Sequence, residues 1–341
     1  MTQTFDPDSM KVIQDHLAYL FADADAWWRM SNWLIFTVQS PQIRIPWAPV
    51  LISGESRGKT WLFECVKRMC GGKYCAAVET EELEQPYNSY MADTILVCFE
   101  EVATRNKHQL IDKFKPIITN TTMDVNAKFG KKGQRNIFAN TMMTSNHMDA
   151  LALQPGSDSR RYWVYFIDQL RMADSEGRKI YEWLDTTGPK HFMEWCQGVD
   201  QSTWEFNAWP AYTDAKDTMI KHSMSLVTRA LIESLEDRVG VFQMDIGDER
   251  QVEDSVSMWL DQDKLDKSQK TELKHLVRRH TQPLRRLRIG NKYVRMLVWR
   301  NEDRWLSAPD TTICNEYDRC KVAALGQDPG SALSPVKGGR R

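Results

Sequence analysis

Apolar residues recur at helical spacing near the N-terminus. Val12, Ile13, Leu17, Leu20 and Phe21 lie in the stretch 11–36 and predict one or two helices ending before the proline-containing stretch 41–46. A short apolar run at 47–53 reads as a strand. It feeds the turn-rich stretch 54–60, and a helical pattern follows over 61–70, closed by Gly71 and Gly72. Runs at 94–99, 136–144 and 161–166 predict three more strands, the last β-prone through its Tyr, Trp and Val. Helical spacing returns over 105–118. Strand, helix, strand, helix, strand in this rhythm predicts an α/β fold with a largely parallel sheet.

Beyond residue 170 the pattern turns to helices over 176–198 and 212–236. A turn-rich acidic segment is expected next, with Asp245, Asp248, Glu249, Glu253, Asp254, Asp261 and Asp263. A helix is predicted near 268–280. A hairpin over 284–305 follows, with Gly290-Asn291 at one turn and Asn301-Glu302-Asp303 near its end. The expected division is an N-terminal helical segment (1–45), a phosphate-binding core (46–170), a helical region (171–240), a winged-helix-like module (241–325) and a Gly/Pro/Ser-rich disordered tail (326–341).

Composition narrows the classes. The chain has 341 residues, room for two domains, and 42% are hydrophobic, which excludes a disordered chain. No apolar stretch reaches 18 residues, and the N-terminus is polar and acidic, so neither a transmembrane helix nor a signal peptide is expected. The net charge of -1 is uninformative as a total, because the basic residues are clustered. Of seven cysteines, Cys65, Cys98 and Cys196 read as small buried hydrophobes, and Cys70 and Cys75 lack further ligands for zinc. A reducing cytoplasm, that of a prokaryote or a phage-infected host, is the expected location.

Candidate chemistry concentrates at the strand ends. The segment Ser53, Gly54, Glu55, Ser56, Arg57, Gly58, Lys59, Thr60 joins a strand to a helix. Backbone N–H groups at a helix start bind phosphate. Gly58 would let the backbone approach, Lys59 would neutralise the β- and γ-phosphates of ATP, and Thr60 would place its hydroxyl on Mg²⁺. Ser53 stands where G-x-x-x-x-G-K-[ST] has glycine. The strand at 94–99 runs into two acids; Glu100 is expected to serve Mg²⁺ and Glu101 to polarise the attacking water. Asn146 ends the next strand, where an amide could orient water and sense the γ-phosphate. Arg160 and Arg161 precede the last strand. They read either as a surface ion pair with Asp158 or as an arginine supplied in trans to a transition state, Arg160 first and Arg161 as its alternative. Lys128, Phe129, Lys131, Lys132 and Arg135, with Gly130 and Gly133 at a turn, suit sequence-independent contact with a single strand.

In this order, SGESRGKT, ILVCFEEV, KFKPIITNTTMDVNAKFGKKGQ, MMTSN and DSRRY resemble the superfamily 3 helicases of the AAA+ class. They look most like the helicase part of phage and plasmid primase-helicases. The resemblance covers about residues 11–170. It implies a ring-shaped homo-oligomer, a hexamer, with ATP sites between subunits, translocation along single-stranded DNA, and Arg160 or Arg161 reaching the neighbour's site. A primase or polymerase is a candidate partner. With no primase segment ahead of residue 1, the expectation is a stand-alone helicase or a piece of a longer one, without priming activity. A helix with Arg278 and Arg279, then a hairpin with Arg286, Arg288, Lys292 and Arg295, suits a module that touches duplex DNA or a partner, or serves as a structural cap. Two other functions compete: an AAA+ switch or loader that remodels a replication protein without unwinding, and a non-catalytic DNA-binding protein whose loop is degraded at Ser53.

Overall fold

Two capped helices open the chain. In the computed structural model, which describes residues 6–102, 107–128, 132–153, 157–289 and 291–327, α1 (Pro7–Leu20) begins at Asp6 and α2 (Ala24–Gln39) at Asp23. Each carboxylate accepts a backbone N–H that would otherwise lack a partner. Their apolar stripes are buried, among them Ile13, Leu17, Met30 and Trp33.

Seven strands follow in the first of two compact units, Met1–Ser223. They are β1 (Ala48–Ile52), β2 (Cys75–Glu79), β3 (Leu96–Glu100), β4 (Thr122–Val125), β5 (Gly133–Asn136), β6 (Asn140–Ser145) and β7 (Tyr162–Phe166). Five form one parallel sheet in the order β2-β3-β6-β1-β7. This is the AAA+-like arrangement, with the strand that leads to the phosphate-binding loop second from one edge. A parallel sheet needs cover on both faces. Here β1 and β6 are buried at every position; α3 (Lys59–Cys70), α4 (Thr80–Glu84), α5 (Lys107–Thr119) and α8 (Asp214–Ser223) pack on strands of the sheet, and α6 (Asp174–Asp185) and α7 (Gly188–Gly198) pack on α3. Asn140 ties the N-terminal segment to the sheet: its Oδ1 accepts Ile45 N–H at 2.8 Å and its Nδ2 donates to Thr37 at 3.2 Å. β4 and β5 pair antiparallel as a separate, largely exposed hairpin.

The second unit, Met224–Arg341, runs α9 (Leu226–Glu236), β8 (Ile246–Asp248), α10 (Glu249–Trp259), α11 (Lys267–His280), β9 (Gln282–Ile289), β10 (Lys292–Val298), α12 (Glu302–Ser307) and α13 (Asp310–Ala324). Its sheet is antiparallel, order β8-β10-β9. Helix, strand, two helices and a hairpin in this pairing make a winged-helix arrangement around Leu231, Phe242, Val256, Met296 and Ile313.

Several elements depart from the sequence pattern. The helical stretch 176–198 is two helices, because Gly188 and Pro189 start the second. The stretch 212–236 is divided between the units as α8 and α9. The acidic segment holds β8 and α10: Asp248 is the N-cap of a reciprocal box with Gln251, so its acids mark a helix start. Asn301 precedes α12 instead of ending a hairpin. The strand expected at 136–144 begins only at Asn140, and β2 and α13 had no predicted counterpart. From residue 328 the expected disordered tail lies outside the described residues. Cys65, Cys98 and Cys196 are buried and free. Among the described residues no helix is long and apolar enough to cross a membrane.

Trp183 joins α6 to α1, donating from Nε1 to Ser9 O at 2.8 Å and packing 5.4 Å from Trp61. A Cβ on Gly188 would lie 2.3 Å from the Trp183 ring and 2.5 Å from its carbonyl oxygen. Gly188→Ala is therefore expected to cost ~1–3 kcal/mol by overpacking, read as a lower denaturant midpoint. An unchanged midpoint would contradict this packing.

Candidate nucleotide site at the carboxyl ends of the sheet

In open α/β sheets, ligands bind beyond the carboxyl ends of the strands. Register decides which side chains meet there. Ile52 pairs with Ser145, so Ser53 and Asn146 leave adjacent strands side by side, and Ser53 N–H donates to Ser145 O at 3.2 Å. Glu79 pairs with Glu100, which sets a third acid beside the Glu100-Glu101 pair.

The loop after β1 is built for close backbone approach. Gly58 is left-handed, φ 81°, and no side chain caps α3 there. Trp61 N–H donates to Gly58 O at 3.2 Å, and no side chain caps the N–H groups that open the helix, a position suited to an anion. A Cβ on Gly58 would sit 2.6 Å from the His16 ring, so α1 also requires glycine here. Ser56 is left-handed too, φ 57°, but Ser53 is not among the positive-φ residues. Serine at that position therefore carries no backbone strain, and its hydroxyl accepts from Lys59 Nζ at 3.1 Å. Gly54 faces the Arg57 side chain, whose guanidinium donates to Ile167 O at 2.9 Å and fixes the loop to the end of β7.

Lys59 is buried, and its ammonium donates to Asn146 Oδ1 at 2.6 Å. The neutral acceptors around it leave its charge uncompensated at short range. Burial and then Arg57 pull the lysine below its ordinary value, against Glu101 and Glu55. Glu100 is pushed above the usual carboxylate range by burial, then by Glu64 and Glu101. A cavity of about 320 Å³ is shared by Lys59, Thr60, Glu79, Glu100, Glu101 and Asn146, with Glu55 and Ser56 at the loop. Glu101 is left-handed, φ 48°. The peptide beyond it is clamped: Val102 N–H donates to Thr144 O at 2.9 Å, and Ser145 Oγ donates to Val102 O at 2.7 Å. Strain of this kind is held where the surroundings over-determine it. Among the described residues no three His, Cys, Asp or Glu form a metal cage. Thr60, Glu79 and Glu100 offer the kind of oxygen donors that Mg²⁺ takes, one or two carboxylates beside phosphate and water oxygens.

Two more cavities, about 600 Å³ and 480 Å³, open around α1 and α6. The smaller reaches Ser56 and Gly58; the larger is lined by His16, Tyr19, Leu170, Met172 and Ile180. Sequence reasoning missed them, and missed Glu79. Its strand, Cys-Ala-Ala-Val-Glu, is too short and alanine-rich to announce itself, although an acid ending an apolar run was the available signal.

The remaining candidates lie elsewhere. Arg160 and Arg161 precede β7, whose Tyr162 pairs with Ala48 at the start of β1. They therefore stand at the amino edge, about five residues of strand, roughly 16 Å, from their own loop. The Arg160 guanidinium lies 4.4 Å from the Trp209 ring centroid. Lys128, Lys132 and Arg135 belong to the β4–β5 hairpin, where Lys132 pairs with Asp124 at 3.3 Å with both side chains exposed. Such a pair contributes little. Phe129 and Lys131 lie outside the described residues.

A family of unknown function, DUF5906, matches residues 51–161, a span that includes Ser53–Thr60, Glu79, Glu100, Glu101 and Asn146. No curated protein matches the chain. The apo structure of the NrS-1 C-terminal region (305–718) matches with a TM-score of 0.66 at 16% identity, covering 85% of this chain and 75% of that one. Its A form gives 0.66 at 17% identity with the same coverage. JCV helicase bound to an acetamide compound gives 0.37 at 12% identity, covering 67% and 66%, too slight to build on. At these identities the likeness to NrS-1 is one of fold: a P-loop, AAA+-like parallel core with flanking helices.

His16 is buried under the loop, 3.4 Å from Gly58 O and 4.6 Å from Trp61 ring to ring. Burial holds it down at about 4, against 6.5 for a free histidine. A folded-state value below the unfolded one means stability present above pH 6.5 and lost as pH falls toward 4. The loss should reach roughly 3 kcal/mol. Unfolding free energies of the parent and His16→Phe, compared from pH 7 to pH 4, should converge by that amount; a constant difference would contradict it.

Proposed function

We propose that the chain is an ATP-driven helicase that moves along single-stranded DNA as a ring, hydrolysing ATP at sites shared between subunits. One observation carries the reading: Lys59, Glu101 and Asn146, 42 and 45 residues apart in sequence, border one cavity at the start of a helix that no side chain caps.

In this reading the α3 N-terminus and Lys59 hold the β- and γ-phosphates, and the nucleoside end lies toward His16, Tyr19 and Met172. Mg²⁺, when bound, would neutralise phosphate charge and be held by Thr60 and by Glu100 through water, with Glu79 alongside. Glu101 accepts a proton from the attacking water. Asn146 orients that water and, through Lys59, registers whether a γ-phosphate is present. The arginine that completes the site comes from the neighbour, because Arg160 and Arg161 stand at the wrong edge of the sheet to serve their own. That geometry supports a homo-oligomer, and a ring of six is the reading the resemblance favours. The β4–β5 hairpin, with Lys128, Lys132 and Arg135, contacts the phosphates of a single strand in the channel. A primase or polymerase would then act as a separate partner.

Lys59→Ala should reduce ATP turnover to background in a phosphate-release assay; turnover at the parental rate would overturn the site. Lys128→Ala/Lys132→Ala should keep basal turnover and lose its stimulation by single-stranded DNA. Retained strand displacement on a forked substrate by that double variant would remove the hairpin from the mechanism. Turnover without any strand displacement in the parent would favour the switch or loader.

A further inference from the structure

The residues that line the candidate nucleotide site all belong to the first unit, and the second unit carries a long run of positive charge of its own. Residues 271–300 hold nine Lys or Arg and a single acid, Glu272. The fold consumes two of the nine. Arg285 pairs with Asp310 at 2.8 Å, and Arg300 pairs with Asp245 at 3.4 Å while donating to the Phe242 and Met244 carbonyls. The single acid is also engaged, accepting from Thr228 at 2.9 Å and from Ser225. The remaining seven cations are exposed, and among the described residues none is held by an ion pair or a side-chain hydrogen bond. Stability of the unit does not account for them.

Their placement is ordered. On α11, Lys267, Thr271, Lys274, His275 and Arg278 recur at spacings of three and four and share one exposed stripe, opposite the buried Leu273 and Val277. On the hairpin, Arg286 pairs with Arg295 and Arg288 pairs with Tyr293, so all four occupy one face of the ribbon. Like charges directly opposite across strands are destabilising. A sheet that places Arg286 against Arg295 on its exposed face carries that cost for a polyanion. Shape narrows the choice. A polar helix stripe fits the major groove, where Thr, His, Lys and Arg can meet base edges, and a basic ribbon beside it meets phosphates. Single-strand binders rely on aromatic stacking platforms, whereas this face offers one large aromatic, Tyr293, 74% exposed.

We infer that the second unit is a duplex-DNA-binding module, with the exposed stripe of α11 in the major groove and the β9–β10 ribbon on the backbone. This site is made of second-unit residues alone, and it requires no nucleotide.

The test uses the full chain without nucleotide. Fluorescence anisotropy is followed with a labelled blunt DNA duplex, with one of its strands alone, and with polyglutamate as competitor, over a range of salt. Lys274→Ala/Arg278→Ala/Arg286→Ala/Arg288→Ala should weaken duplex binding at least about tenfold and flatten its dependence on log salt by about 3–4. Single-strand binding should be unchanged. If the quadruple variant does not fold, Arg286→Ala/Arg288→Ala alone should flatten the slope by about 2. Unchanged duplex affinity, an equal loss for the single strand, or displacement of the duplex by polyglutamate at matched charge would overturn the assignment. Because ATP is absent throughout, the result is independent of the proposed ATPase activity.

Discussion

The bond between Lys59 and Asn146 is the constraint on which the site depends. A buried ammonium is costly unless something answers its charge. Here it meets an amide oxygen at 2.6 Å, a serine hydroxyl and two loop carbonyls at 3.3 and 3.4 Å, none of them anionic. That environment lowers the lysine and leaves it poised for an anion. The parallel register of β1 and β6 makes the bond possible, since a slip of one residue would turn Asn146 to the opposite face. The sheet thus couples the loop to the end of β6, and a group that draws Lys59 forward would also release Asn146.

The acids form the second half of the same arrangement. Glu79, Glu100 and Glu101 gather at one corner because β2, β3 and β6 end level with one another. Glu100 is raised first by burial and then by Glu64 and Glu101, and a nearby cation would offset both effects. The site therefore joins a region short of negative charge around Lys59 to one short of positive charge around Glu100, across a cavity of about 320 Å³. A phosphate chain carrying a divalent ion satisfies both at once.

Much of this was legible in the residues. The runs at 47–53, 94–99 and 161–166 were strong because they are continuous and apolar, as strands buried on both faces must be. Glu100 and Glu101 could be placed because they directly follow the run at 94–99, Asn146 because it closes the run at 136–144, and Lys59 because it follows Gly58 in the loop after 47–53. What stayed hidden depended on tertiary packing. Glu79 ends a strand with two alanines, whose formation rests on its pairing with β3. His16 looked like one polar residue on an amphipathic helix, and its contact with Gly58 spans 42 residues. The acids near 248 misled because capping uses the same residue types as turns. Ser53 looked like a defect by pattern, and the backbone there asks nothing of glycine.

The central claim is that one triphosphate lies between the loop of one subunit and an arginine of the next. Electron cryomicroscopy of the full chain with a non-hydrolysable ATP analogue, Mg²⁺ and single-stranded DNA addresses it most directly. The account predicts phosphate density against Lys59 and the start of α3, with Arg160 or Arg161 of an adjoining copy turned toward it. Phosphates bound away from Lys59, or bound there in a chain with no neighbour contributing an arginine, would contradict it.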